Sequence, residues 1–160
     1  MSTTILLKSE DITKNTLMGG NIDRSTYIQD IKTCQNLKIK PFLGSDLYDK
    51  IVADYIADTL AGDYLTMFND YIKEMIIHGS TELYLAHGAY KVTNVGITKH
   101  STDSSETVNK EEVDFLVQSS RKLYELYKAE FLVWIADKTI TEWTSTCDTA
   151  RSKNVGGWRL

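Results

Sequence analysis

Apolar residues along this chain recur every three or four positions over long stretches, and polar or glycine-bearing segments separate those stretches. Between Asp23 and Lys38, the residues Tyr27, Ile28, Ile31, Cys34 and Leu37 share one broad face, which predicts a first helix. Pro41 restricts Lys40 to extended geometry, so that helix is expected to end before it. The turn "PFLGS" offers Ser45 as the N-cap of a second helix, Asp46 to about Asp58, with Leu47, Tyr48, Ile51, Val52 and Tyr55 turned inward. Gly62 and Asp63 punctuate the next start. From there Tyr64, Phe68, Tyr71, Ile72, Met75 and Ile76 form a narrow stripe that stays in phase through Leu83, Ala86 and Tyr90.

Gly79 lies on that stripe, although glycine weakens a helix by about 1 kcal/mol relative to alanine. One continuous helix, with another backbone brought close at Gly79, is the preferred expectation. The alternative is a break at "HGST" with Ser80 or Thr81 as a new cap. A fourth helix is expected after Asn109, whose side chain can cap while Glu112 reaches back. On it Val113, Leu116, Val117, Leu123, Tyr124, Tyr127, Phe131, Trp134 and Ile135 keep one apolar face to about residue 137. Phe115, Leu126 and Val133 make a thinner strip almost opposite. A helix apolar on two sides must be covered on two sides, by the N-terminal arm, by the C-terminal tail or by a neighbouring subunit.

The segment "KVTNVGITKHSTDSSETVNKEE", Lys91 to Glu112, breaks this periodicity. Structureless connections beyond about 12–15 residues are normally functional or disordered. Its first half, Lys91 to Lys99, is strand-like, with Val92, Val95 and Ile97 around Gly96; its second half, His100 to Asn109, is polar linker. Thr93-Asn94 lacks the glycine of favoured two-residue hairpin turns, and an isolated hairpin is marginal in water. Such a segment gains most by adding to a strand of another chain. Beyond about Trp143 the chain turns polar and ends "SKNVGGWRL", where Trp158 and Leu160 either anchor a tether on a partner or fold back on the bundle.

The expected architecture is therefore all-α, a single domain of 160 residues with a bundle of about four helices. Residues 1–21 form an arm, 22–90 the first three helices, 91–109 the extended loop with room for a short β segment, 110–143 the long helix and its end, and 144–160 the tail. A hydrophobic content of 42% and a charged content of 25% fit a packed domain rather than a disordered one. A net charge of -4 without a Lys/Arg cluster disfavours a protein that grips nucleic acid. Cys34 and Cys147 form no CxxC pair, which suggests unpaired thiols in a reducing compartment. The apolar run Ile5 to Leu7 is too short for a signal peptide or a membrane anchor, so the cytoplasm of the producing cell is expected.

Candidate chemistry is sparse. There is no phosphate loop, GxSxG elbow or HExxH. Glu74, His78 and Glu82 follow i, i+4, i+8 spacing and could line up on a metal, but no matching ExxH pair on another helix completes the set. A solvated helix face is the plainer expectation for them. His87 lies about 180° from His78 and cannot join it on a continuous helix. His100, in the polar loop, is expected to be exposed. No enzyme, metal or cofactor is expected.

The order of features resembles the head-tail connector proteins of tailed bacteriophages, closest to the ring proteins of crAss-like and related phages of gut bacteria. The likeness runs through "DITKNTLMGGNID", "YIQDIKTCQ", "FLGSDLYDKI", a long helix ending in "YKVTNVGI", a polar loop, a second long helix and a terminal "GGWRL". It implies a helical protomer in a ring, commonly of twelve copies, in the neck of the virion between the portal protein and the next tail or connector component. DNA would pass through the ring without sequence-specific binding, and no membrane is involved. In that family the loop and tail reach across to neighbours, which points to Val92, Asn94, Val95, Gly96 and Ile97, and to Gly156, Gly157, Trp158 and Leu160. The strip Phe115, Leu126 and Val133 joins them as a candidate contact. A small helical adaptor that takes one partner helix in a groove is the alternative from a different class.

Overall fold

The computed structural model describes residues 4–8, 10–11, 24–87, 90–93, 96–99 and 110–143. The protein is all-α, with four helices among these residues, the last one long. Helix α1 covers residues 24–43, made of Arg24–Cys34, a π turn Gln35–Ile39 and a final turn Lys40–Leu43. Helix α2 is Ser45–Ala57. Helix α3 covers 62–87, made of Gly62–Met67, a π turn Phe68–Ile72 and Lys73–His87. Helix α4 is Lys110–Ala136.

The first helix does not stop before Pro41. In the π turn the Lys40 N–H bonds the Gln35 carbonyl, five residues back, and Lys40 itself is helical at φ -58, ψ -46. Pro41 then sits in the first turn of the regular segment that follows, where its missing N–H is tolerated. Gly44, at φ 82, ends the helix instead. The same glycine, not Ser45, occupies the N-cap of α2, with no side-chain cap bond, and the Tyr48 N–H bonds its carbonyl.

A π turn also resets the helical phase. After Tyr27, Ile31 and Cys34 the buried positions continue as Gln35, Ile39 and Leu43, whereas Leu37, expected inside, is 72% exposed. Leu47, Tyr48 and Ile51 of α2 are buried, with Val52 and Tyr55 half-buried against the core. Along α3, Phe68, Ile72, Met75 and Ile76 are buried as the stripe requires. Past Gly79, however, the buried residues are Ser80, Thr81 and Glu82, Leu83 is half-buried against the core, and Ala86 is exposed. On α4 the buried residues are Ser120, Tyr124, Phe131 and Ile135, while Leu123, expected on the inner face, is exposed.

Helix α3 runs unbroken through Gly79, packed between α1 and α4. A Cβ placed on Gly79 would stand 2.6 Å from the Cys34 sulfur and 3.2 Å from the Tyr124 ring. That spacing leaves no room for any other residue and is what lets the three helices meet. Towards the far end of α4, Phe131 is fully buried among the rings of Phe42, Tyr71 and Trp143 at 5.3–6.1 Å, edge-on.

Residues 4–8 carry no secondary structure and lie across α1 and α2. Leu6 and Leu7 are buried in the core. The Leu6 N–H donates to Gln35 Oε1 at 3.2 Å, while Gln35 Nε2 donates to the Thr4 carbonyl at 2.9 Å and to the Tyr48 hydroxyl at 3.0 Å. Lys73 of α3 pairs with Asp11. The described arm is thus held away from the outer strip of α4 and does not cover it.

Tyr90–Thr93 and Gly96–Lys99 are extended and pair antiparallel, Tyr90 opposite Lys99 and Thr93 opposite Gly96. The segment that the sequence left seeking a partner is thus paired with itself along one edge of each strand. Asn94, Val95, His100, Asn109, Cys147 and the whole 144–160 tail lie outside the described residues, as do the contacts expected of them.

Candidate functional site

The outer face of α4 is the feature left over once the core is accounted for. Phe115 is 70% exposed, Leu126 51% and Val133 74%, with Leu123 and Leu132 also open beside them. By the helical rise of 1.5 Å per residue, Phe115 to Val133 spans roughly 27 Å. Exposed leucines are ordinary singly, whereas a line of large apolar side chains along one helix is the contiguous apolar exposure that interaction surfaces, ligand grooves and aggregation-prone faces share. At its N-terminal end, Phe115 and Leu116 line an open hollow of about 450 Å³ with Glu111 and Glu112. Further apolar exposure occurs at Leu37, Ile56 and Leu65.

Behind this face, Glu82 ties three helices together. Its carboxylate accepts from Lys38 of α1 and, at 2.7 Å, from Arg121 of α4, while the Lys38 ammonium lies 4.8 Å from the Tyr124 ring centre. Burial pushes the carboxyl upward, but the hydrogen bonds from Lys38 and Arg121 outweigh it and hold Glu82 below its ordinary value. Beside it, burial pushes the Cys34 thiol up to about 12, so this sulfur is a packing group, not a nucleophile. A shallow hollow of about 290 Å³ opens outside the cluster between Leu37, Phe42, Arg121 and Lys128.

The line Glu74, His78, Glu82 is not a solvated face. His78 stacks on Tyr127 of α4 with ring centres 5.6 Å apart and planes at 12°, and burial lowers its pKa. Its Nε2 lies 3.8 Å from Glu74, while Glu82 is taken up by its two cations. Among the described residues no group of three or more acidic, histidine or cysteine side chains could hold a metal. His87 bonds Asp30 at 2.9 Å, on the opposite side of α3 from His78. Asp30 is buried, and its second oxygen has no partner among the described residues. The pair closes the end of α3 from which the β segment departs.

Of the residues named from the sequence, Phe115, Leu126 and Val133 share one open face. Val92, Gly96 and Ile97 belong to the paired strands, and the remaining loop and tail candidates lie outside the described residues. Gln35 and the pairing of Glu82 with Lys38 and Arg121 are not legible in the sequence, where Glu82 stands out only in line with Glu74 and His78. A glutamine inside an apolar run was the available signal for Gln35, and Glu82 falls among the polar residues following Gly79. No described helix is long and apolar enough to cross a membrane.

A family model described as a family of unknown function (DUF6712) matches residues 39–153, more than two thirds of the chain. No curated protein and no solved structure matches the chain significantly. The chain belongs to the DUF6712 family.

Proposed function

We propose that this member of the DUF6712 family is a structural virion protein, a head-tail connector that assembles as a ring between the portal and the tail of a phage. The observation that carries the reading is the exposed strip Phe115, Leu126 and Val133 on a helix whose opposite face buries Tyr124, Phe131 and Ile135. A head-to-tail contact made by such a strip on one protomer against a different surface of the next generates a ring when its rotation closes, with every subunit then held on both sides. The resemblance in the order of helices, loop and "GGWRL" tail supplies the setting. The paired strands Tyr90–Thr93 and Gly96–Lys99 add directional backbone hydrogen bonds to a neighbour through their outer edges, and Trp158 and Leu160 anchor the tail on the portal or the next tail component. The net charge of -4 suits a channel through which DNA slides without sticking.

The test is electron microscopy of the purified protein mixed with its portal. Rings on the portal support the reading, and their absence from every mixture overturns it. A one-to-one complex with a single protein and no ring would favour the adaptor alternative. Deletion of Thr93 to Ser105 sharpens the test. The protomer should keep its helical circular dichroism but join rings poorly, and a simultaneous loss of helix would assign the loop to the core.

A further inference from the structure

The N-terminal arm is bound to the bundle much as a separate peptide would be. Residues 4–8 belong to no helix or strand, they place Leu6 and Leu7 into the core, and both ends of the Gln35 amide are committed to them: Oε1 accepts from the Leu6 N–H and Nε2 donates to the Thr4 carbonyl. Tyr48 fixes the Gln35 amide from the α2 side, and Lys73 grips Asp11 from α3. Gln35 is fully buried, and it sits in the π turn that displaces the regular apolar phase inward by one residue. The body thus presents a preformed receptor: two leucine sites and an amide clamp that reads backbone, independent of how the peptide is joined to the rest of the chain.

We propose that the arm is exchangeable between copies of this chain, so that the groove of one protomer takes residues 4–11 of another. The partner is fixed by chemistry, because a second copy's arm carries the same Thr4 carbonyl, Leu6 N–H, leucines and Asp11 and makes every contact of the closed form. Such exchange is a low-cost route to association, since it trades identical contacts. The sequence allows it: twelve residues, 12–23, join the arm to α1, enough to span at most about 40 Å when extended, and they include Gly19 and Gly20. The inference does not rest on the connector reading, since arm exchange in the isolated protein requires neither a portal nor a ring.

The experiment uses the full chain with Cys147→Ser, Cys34 being buried and unreactive. One preparation carries a donor dye at Ser2→Cys, the other an acceptor at Asp46→Cys, exposed at the start of α2 beside the groove. Mixed, they should show energy transfer between chains that rises with concentration. Excess free peptide of residues 1–11 should abolish it, while the same peptide with Leu6→Asp and Leu7→Asp should not. A Gln35→Glu chain, which keeps an acceptor for the Leu6 N–H but loses the Nε2 donor, should also lose transfer. Energy transfer seen only when both dyes sit on one chain, at every concentration, overturns the proposal. So does transfer between chains that survives the free peptide. Because the peptide acts on unmutated groove residues, the outcome does not depend on whether the Gln35 variant folds.

Discussion

On the inner side of α4, Tyr124, Phe131 and Ile135 are shut away from solvent against α3 and the aromatic cluster; on its outer side, Phe115, Leu126 and Val133 stand open. Both sets are large and apolar, and both obey helical spacing. Hydrophobicity therefore identified two faces without ranking them. Packing ranks them: the inner face contributes to the stability of the fold, and the outer face stays exposed.

The sharpest way to break this comparison is to truncate the same residue type on each side. Phe131→Ala should destabilise by about 3–5 kcal/mol, as a buried aromatic leaving a cavity does. Phe115→Ala should stay within about 0.5 kcal/mol of the parent, as for a surface change. Chemical denaturation measures both, and comparable losses would mean that the outer strip is also covered within the protomer.

Next in size is Gly79→Ala, whose added methyl group meets Cys34 and Tyr124. Overpacking of this kind costs typically 1–3 kcal/mol and outweighs the helix-propensity gain of alanine. A variant as stable as the parent would show that α1 and α4 can give way at this crossing.

The Glu82 cluster should appear as acid sensitivity. Its carboxyl is held below the unfolded value, near 4.3 for glutamate. The unfolded chain therefore binds the proton first as pH falls. The contribution is present above the unfolded value and is lost as pH falls through the folded one. His78, lowered by burial, acts in the same direction from about pH 6.5 downward, where the unfolded imidazole becomes charged. Denaturation midpoints measured down to the acid range should fall less steeply for Glu82→Gln than for the parent; parallel slopes would remove the carboxylate from the account.

The smallest effect on stability, and the largest on assembly, is expected from Phe115→Asp combined with Val133→Asp. Thermal unfolding should barely move, within about 0.5 kcal/mol per site, while under the proposed connector function ring formation on the portal should be lost. Unimpaired rings would take the strip out of the assembly surface.

Helix α1 marks where the sequence stops being legible. Its start and its first inward residues, Tyr27, Ile31 and Cys34, follow from local spacing alone. Its continuation past Pro41 does not, because propensity speaks for each residue separately, whereas the π turn that accommodates the proline is stabilised by what it turns inward. Gln35 becomes buried because Thr4, Leu6 and Tyr48 satisfy its amide, and those partners lie 13 to 31 residues away. The same holds past Gly79. Ser80, Thr81 and Glu82 are buried because Tyr27, Lys38 and Arg121 meet them, and none of those pairings is visible in a periodicity.

The sequence by itself determined that the chain is helical, roughly where its helices run, that Gly79 is a point of close approach and that α4 carries two apolar faces. These are properties of local hydrogen bonding and of residue spacing, which any stretch of chain expresses without reference to the rest. Only the tertiary structure decided which face of α4 is core, which polar groups are buried and where the N-terminal arm lies. Those outcomes depend on partners distant in sequence, and burial is a property of the assembled neighbours, not of the residue that is buried.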